Sequence, residues 1–370
     1  MSYPYLESLE ALKKIVTPDC KIVLDLDQTC YVAAAGAEKR TIIAKHKASG
    51  VEKSFKNKTA FWGAKKTALG GWLQDENTNR QVKAEAAGKK FKPFSKEDFE
   101  IIEVQTPEPV ENCLHMLKTK INSIMEHVGF DIGLGVLGGK GNFRLDLPAP
   151  EQYKSNRDGT LRPVLLPDAR EYVVKHHNAV VIDNIEADDY LAMLGYEGFI
   201  NYKNTGKFNY LIASFDKDQV GTPSLIFNTF RDTDGWKHPI PMLVDDSMGH
   251  IWMENSKVKG WGQKFLGYQM LFGDDSDNIK PYQNFGIKFG EVSAFKVISP
   301  CETERDMWLA VINQYKEWFP DGVKFTSWDG QEIDFTAGQW ASVIFQLVYM
   351  KRSVGDRTTL STTLRRVGAI

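Results

Sequence analysis

Cysteine is scarce in this 370-residue chain, and Cys20, Cys30, Cys113 and Cys301 form no Cys-x-x-Cys pair. That excludes a disulfide framework and a zinc ribbon, and the four read as small buried hydrophobes. Histidine is also thin, and the adjacent His176 and His177 lack the helical or knuckle spacing of a zinc site. No apolar run approaches the roughly 18 residues that a membrane span needs. The start, Met1 to Ser8, lacks the basic and then apolar stretch of a secretory signal, so the chain reads as cytosolic. Neither charge sign is in large excess: the formal net charge is -2. A nucleic-acid surface would therefore have to come from segregated charge. Gly138-Gly-Lys-Gly141 is glycine-rich but has no Gly-x-x-x-x-Gly-Lys-Ser/Thr pattern, which excludes a phosphate loop of that type. What is left is an ordinary globular composition, 42% hydrophobic and 25% charged. It allows one large α/β domain with additions, or two to three ordinary domains.

Against these absences stands an ordered series of acidic residues. Val180 to Ile182 has the composition of a buried strand and Tyr190 to Leu194 has helical character, with Glu186, Asp188 and Asp189 between them. Carboxylates at a helix start can simply complement the macrodipole. Three other segments repeat the arrangement. Lys21 to Asp27 reads as a strand ending in Asp25 and Asp27, and Phe208 to Phe215 as a strand leading to Asp216-Lys-Asp218. The apolar segment Trp261 to Phe272 leads to Gly273-Asp-Asp-Ser-Asp-Asn-Ile279, with Asp274 and Asp277. In an open parallel sheet, ligands gather outside the carboxyl ends of strands. Eight or nine carboxylates brought together there would repel until several were protonated, unless cations compensated them. All-oxygen ligands suit Mg²⁺ or Mn²⁺ rather than zinc. Two such ions about 3.5–4 Å apart can serve phosphodiester hydrolysis.

The remaining segments frame this series. Leu6, Leu9, Leu12 and Ile15 predict a short helix, and Cys113 to Val128 an amphipathic one. Phe130 to Leu137 predicts a strand, Pro167 to Val174 a helix with an early proline, and 220–250 short strands and turns. Met307 to Phe319 and Gln339 to Met350 read as helices. From Glu38 to Lys96, thirteen Lys and two Arg face five acids, an excess of ten positive charges, with Phe55, Trp62 and Trp72 interleaved. Such a segment is either a strand-contacting nucleic-acid surface or a solvated insertion. The predicted fold is α/β, with a mainly parallel central sheet and helices on both faces.

Asp25, Glu-Ala-Asp-Asp at 186–189, Asp-Lys-Asp at 216–218 and Gly-Asp-Asp-Ser-Asp-Asn-Ile at 273–279 resemble the ordered motifs of the flap-endonuclease or 5′-nuclease family, most closely its bacteriophage 5′→3′ exonuclease branch. Asn142-Phe-Arg144 and Tyr153-Lys-Ser-Asn-Arg157 add to the likeness, which runs discontinuously over about 20–300. The resemblance implies a PIN-like nuclease core over 1–250, with a basic insertion at 38–100 and an arch or clamp at 140–175. It further implies a helix-three-turn-helix at 251–300 and a helical extension at 301–370. The implied activity is two-metal hydrolysis of DNA, or of RNA in hybrids, from 5′ ends or at flaps. Asp25, Glu186, Asp188 and Asp189 would serve the first Mg²⁺ or Mn²⁺, and Asp216, Asp218, Asp274 and Asp277 the second. Lys154 and Arg157 would engage the scissile phosphate, with Arg144 and Tyr153 among the nucleic-acid contacts. Gly286, Lys288 and Gly290 would offer the duplex-binding turn. Lys288 stands where the family has a second glycine, which bears on that turn and on the potassium ion some members hold there. The sharpest departure is Gly139, where members carry a metal-binding Asp; either Asp27 or Asp146 compensates or affinity for the first metal is weakened. A monomer without membrane partners is expected, in the host cytoplasm if the chain is of phage origin.

Two other readings stay open. Val23-Leu-Asp-Leu-Asp-Gln-Thr29 resembles the nucleophile motif of haloacid-dehalogenase-type phosphatases, with Asp25 attacking phosphorus. Alternatively, Gly139 marks a non-catalytic DNA-binding protein on a nuclease fold.

Overall fold

A computed structural model describes residues 3–64 and 70–370. The chain forms two compact units, one made of Met1–Thr29, Thr119–Leu161 and Arg170–Ile370, the other of Cys30–Lys118 and Arg162–Ala169.

The first unit is built on a six-stranded sheet in the spatial order Met242–Val244, Ser224–Phe227, Phe208–Ala213, Val16–Asp25, Gly133–Gly138, Val180–Ile182. Every neighbouring pair is parallel except the edge strand Met242–Val244, which runs antiparallel to Ser224–Phe227. The expected mainly parallel α/β architecture is therefore present. Ile22, Val23 and Leu24 are all buried, the continuous apolar run of a strand covered on both faces. In register, Leu24 lies beside Gly135 on one side and Ala213 on the other, so Asp25 emerges at the carboxyl end of the central strand. The chain builds outward from Val16–Asp25 in both directions, and that strand is the switch point where an α/β sheet opens a crevice.

The helix Ala187–Thr205 lays Ala187, Leu191 and Leu194 on Val23, Val136 and Ile212. Gly195 permits the close approach: a Cβ there would stand 2.8 Å from the Ser224 Cβ. Beyond the sheet come the hairpin His250–Glu254/Lys257–Trp261 and the helices Gly262–Phe272 and Glu291–Ile298. The segments expected as C-terminal helices are helices at Glu304–Trp318 and Ala337–Val348, with a hairpin, Val323–Thr326/Glu332–Phe335, between them. They are not an appendage, because Trp308, Tyr315, Trp340 and Phe345 share one core with Phe265, Met270 and Leu271.

The second unit holds a three-stranded antiparallel sheet, ordered Glu52–Phe55, Glu38–His46, Phe99–Pro107, with helices Lys58–Trp62 and Trp72–Ala86. Its aromatic residues are mostly structural. Phe61 and Phe99 are buried with Ile42, Ala44 and Leu73, and Phe55, Trp62 and Trp72 pack against them. The basic segment is thus folded, and its rings are largely committed to a core instead of standing free for bases. Lys65 and Lys66 of that segment lie outside the described residues. No described helix is long and apolar enough to cross a membrane.

Candidate metal and phosphate site

The carboxyl ends of the sheet strands gather the acids. Asp25 ends the central strand, and the buried Ser214 hydroxyl, at the end of Phe208–Ala213, donates to its Oδ2 at 2.9 Å. The same Ser214 oxygen accepts the Asp216 N–H at 3.0 Å. Asp216 then caps the 3₁₀ turn Lys217–Gly221 by accepting the Asp218 N–H. Asp218 Oδ1 accepts from Gln269 Nε2 at 2.6 Å, and Gln219 Nε2 donates to the Asp188 carbonyl at 3.1 Å, which ties this turn to two helices. Gly273, at φ +81°, begins a tight turn closed by Asp274 and Ile279. There Asp274 Oδ1 accepts the Ser276 N–H, while Lys217 Nζ lies 2.7 Å from Asp274 Oδ2.

These carboxylates perturb one another. Burial drives Asp25 up to about 6, with Asp27 and Asp216 adding and Ser214 opposing. Burial, then Asp216, Asp25 and Glu186, raises Asp188 well above the usual carboxylate range. Asp218 is pushed to about 8 by burial and by Asp216, with smaller contributions from Asp274 and Asp277. Burial and then Asp277 raise Asp216. Asp274 goes the other way: burial would raise it, but Lys217 and Ser276 outweigh that and hold it low. Asp25, Glu186, Asp188, Asp216, Asp218, Asp274 and Asp277 therefore act on each other as one constellation.

Basic residues stand beside them. Lys154, in the left-handed region at φ +60°, gives its N–H to the Asp277 carbonyl, and its Nζ bonds Glu186 and lies 3.6 Å from Asp277. Burial would lower its pKa, but Glu186 and Asp277 raise it, so the ammonium stays charged. Arg157, more exposed, pairs with Asp277 through Nη2. Asn156 Nδ2 donates to the Asp275 carbonyl and Asn278 Nδ2 to the Gln152 carbonyl, fastening the Tyr-Lys-Ser-Asn-Arg string to the acidic turn.

Several expected roles change. Asp189 is fully buried and locked to Arg144, whose Nη1 lies 2.5 Å from Oδ2 and whose Nη2 lies 3.0 Å from Oδ1. The Lys351 N–H also donates to Asp189. Both of its oxygens are held by groups buried with it, unlike those of Glu186 and Asp277, whose partners Lys154 and Arg157 are partly exposed, so Asp189 is an ion-pair partner in the core and not an open ligand. Arg144, 1% exposed, also reaches Glu186 and the Leu347 and Tyr349 carbonyls, and has no surface to offer a nucleic acid. Tyr153 is likewise only 6% exposed, and its hydroxyl is within hydrogen-bond distance of Glu186 (2.9 Å) and Asp277 (2.7 Å). It positions acids; it is not available as a stacking ring. Gly286 and Lys288 are exposed, Gly286 at φ +71°, and Gly290 caps the helix Glu291–Ile298.

Gly139, where the resemblance implies an Asp, has no room for a side chain. A Cβ there would overlap the Asp183 carboxylate and stand 2.8 Å from the Ile182 carbonyl oxygen. Asp27 borders the adjacent residue instead: its Oδ2 accepts the Gly138 N–H at 2.6 Å and its Oδ1 pairs with Arg170. Asp146 lies in the 3₁₀ turn Phe143–Asp146. Lys217, Gln269, Arg170 and Asp183 are residues of this region that motif spacing does not single out as site members. Lys217, enclosed in Asp-Lys-Asp, carries a sequence signal, as does Ser214, whose strand-end place fits a later motif of the phosphatase reading.

The donor set suits a hard divalent cation, because buried carboxylates pushed upward by their neighbours are what such a charge would relieve. In the conformation seen, no three His, Cys, Asp or Glu among the described residues are arranged to hold an ion. Lys154, Arg157 and Lys217 occupy carboxylate oxygens there.

No family model and no curated protein matches the chain. Among solved structures it is similar to the flap endonuclease of bacteriophage T5 in a pseudo-enzyme–product complex with DNA and metal ions, at 14% identity over 69% of this chain and 89% of that one, TM-score 0.35. It is also similar to a mutant T5 5′-exonuclease, at 15% identity over 69% and 91%, TM-score 0.36. A T5 protein co-crystallised with metal ions gives 17% identity over 69% and 82%, TM-score 0.36. Superposition at this level is loose, and function rests on the side chains of this chain itself.

Proposed function

We propose that this chain is a metal-dependent nuclease that hydrolyses phosphodiester bonds of DNA, or of RNA in hybrids, as a 5′→3′ exonuclease or flap endonuclease. The observation that carries the reading is the gathering of acids from four separate chain segments at the sheet's switch point, with Lys154 and Arg157 beside them. Asp25, Glu186 and Asp188 would hold one Mg²⁺ or Mn²⁺, and Asp216, Asp218, Asp274 and Asp277 a second. When bound, such cations supply Lewis-acid activation of water and neutralise charge on the phosphodiester. Lys154 and Arg157 would exchange their carboxylate partners for a phosphate oxygen, holding it by charge-assisted hydrogen bonds. Tyr153 and Arg144 would keep Glu186 aimed into the site, and Ser214 would do the same for Asp25.

The phosphatase reading has less support, since Asp27, which would have to serve as acid/base, is held by Arg170 and the Gly138 N–H. The deciding experiment is a panel of 5′- and 3′-labelled duplex, flap and hybrid substrates with and without Mg²⁺. Shortening from the 5′ side that needs the metal and is lost in Asp188→Asn, with binding retained, is the expected result. An intact substrate under every metal condition, or full turnover by Asp188→Asn, would overturn it. Trapping of Asp25 by beryllium fluoride would favour the phosphatase.

A further inference from the structure

The second unit carries a group of exposed lysines, two of which are held in place by aromatic rings. Trp72 stacks on Phe61 at 5.9 Å between centroids, and Trp62 meets the same ring at 5.9 Å. Lys53 Nζ sits 4.6 Å from the Trp72 ring centroid, and Lys96 Nζ 4.9 Å from that of Trp62. Each ammonium is thus positioned by the negative face of an indole instead of by a carboxylate. Lys92, exposed two residues from Phe94, acts electrostatically on Asp98, whose Oδ2 is engaged by the Ser95 N–H. Other basic residues of the unit are paired, as in Arg40–Glu38, Lys45–Glu52 and Lys58–Glu103. Lys53, Lys92 and Lys96 are exposed and have no ion-pair partner among the described residues. A chain with formal net charge -2 that leaves these cations unpaired on one small fold has segregated charge, which suits a polyanion.

We propose that Lys53, Lys92 and Lys96 form a contact surface for the sugar–phosphate backbone of a nucleic-acid strand, bound without regard to base sequence. The tryptophans beneath Lys53 and Lys96 hold those charges and do not intercalate, since their rings pack against the core. This surface does not depend on the proposed cleavage, and its test runs without metal.

Full-length protein is titrated against labelled mixed-sequence single-stranded DNA in EDTA across a KCl series, read by fluorescence anisotropy. The triple variant Lys53→Ala/Lys92→Ala/Lys96→Ala should flatten the slope of log K against log salt by about 2 and weaken binding about tenfold near physiological salt. The corresponding triple arginine variant should keep the parental slope, as should a control with Lys257, Lys316 and Lys324 changed to Ala. An unchanged slope in the alanine triple, or an equal loss in the arginine triple or in the control, overturns the proposal. So does lysine-dependent binding to phosphatidylserine vesicles with no change in DNA affinity. If the alanine triple unfolds, Lys53→Ala and Lys96→Ala are measured singly. Each should then lose about 0.7 of slope, and no loss in either overturns the proposal.

Discussion

Arg144 and Asp189 illustrate at the level of single residues how one motif divides its labour. In Glu186-Ala-Asp-Asp189, consecutive helix positions point about 100° apart. Asp188 therefore faces Asp25 and Asp216, while its neighbour turns into the core toward Arg144. Both partners of that ion pair are buried, and removing one would strand a charge. Asp189→Ala should destabilise the fold by about 3–5 kcal/mol, measured by urea unfolding, whatever happens to activity. A loss below 1 kcal/mol would mean that the pair is not the anchor described here. Lys154 makes a different prediction. Lys154→Ala should cost some stability, because Glu186 and Asp277 lose their ammonium, but under conditions where the variant is fully folded it should still lower kcat about a hundredfold, as expected for loss of one preformed contact to developing charge. An unaltered kcat would remove it from the site. Gly139→Asp tests whether the carboxylate that the resemblance implies at this position can be accommodated. Because the Ile182 carbonyl and Asp183 already fill that space, the substitution should cost about 1–3 kcal/mol by overpacking and should not raise metal-dependent turnover. A stable, more active variant would contradict the geometry.

Among the elements, legibility followed periodicity. The strands Phe208–Ala213 and Gly133–Gly138 and the helix Val110–Val128 lie where apolar runs and 3.6-residue spacing predict them, while the strand expected at Lys21 to Asp27 runs Val16–Asp25 and leaves Asp27 in the helix Leu26–Gly36. The insertion was harder, because its strands Glu38–His46 and Phe99–Pro107 lack a clean two-residue alternation, with the charged run Glu38-Lys-Arg40 and the apolar run Ile42-Ile-Ala44 side by side. Composition there is compatible with either a solvated segment or a folded sheet, and only pairing of Ile42 and Ala44 against Glu103 and Ile101 settles it. The acidic turn Gly273–Ile279 is similarly legible as a motif. Its hold on the Tyr153–Arg157 string, through Asp277 and Asn278, connects positions more than 120 residues apart and has no local signal.

For the whole molecule, the acidic constellation has a stability consequence. Several carboxylates are raised by burial and by one another, so their charged forms oppose folding until a cation compensates them. Adding Mg²⁺ should raise the melting temperature, by an amount equivalent to about 2.7 kcal/mol at a concentration one hundred times the dissociation constant, and chelation should reverse it. A melting curve indifferent to Mg²⁺ and Mn²⁺ would argue against the metal reading. The α/β class, the mainly parallel sheet and a candidate set of Asp25, Glu186, Asp188, Asp189, Asp216, Asp218, Asp274 and Asp277 were legible in the sequence alone, because strand runs and carboxylates beside them are local patterns. Which acids stay open and which are consumed was decided only by tertiary structure. Asp189 went to Arg144, Asp27 to Arg170, and the space beside Gly139 to Asp183. A carboxylate's role depends on the cation nearest to it, and the folded chain, not spacing along it, supplies that neighbour.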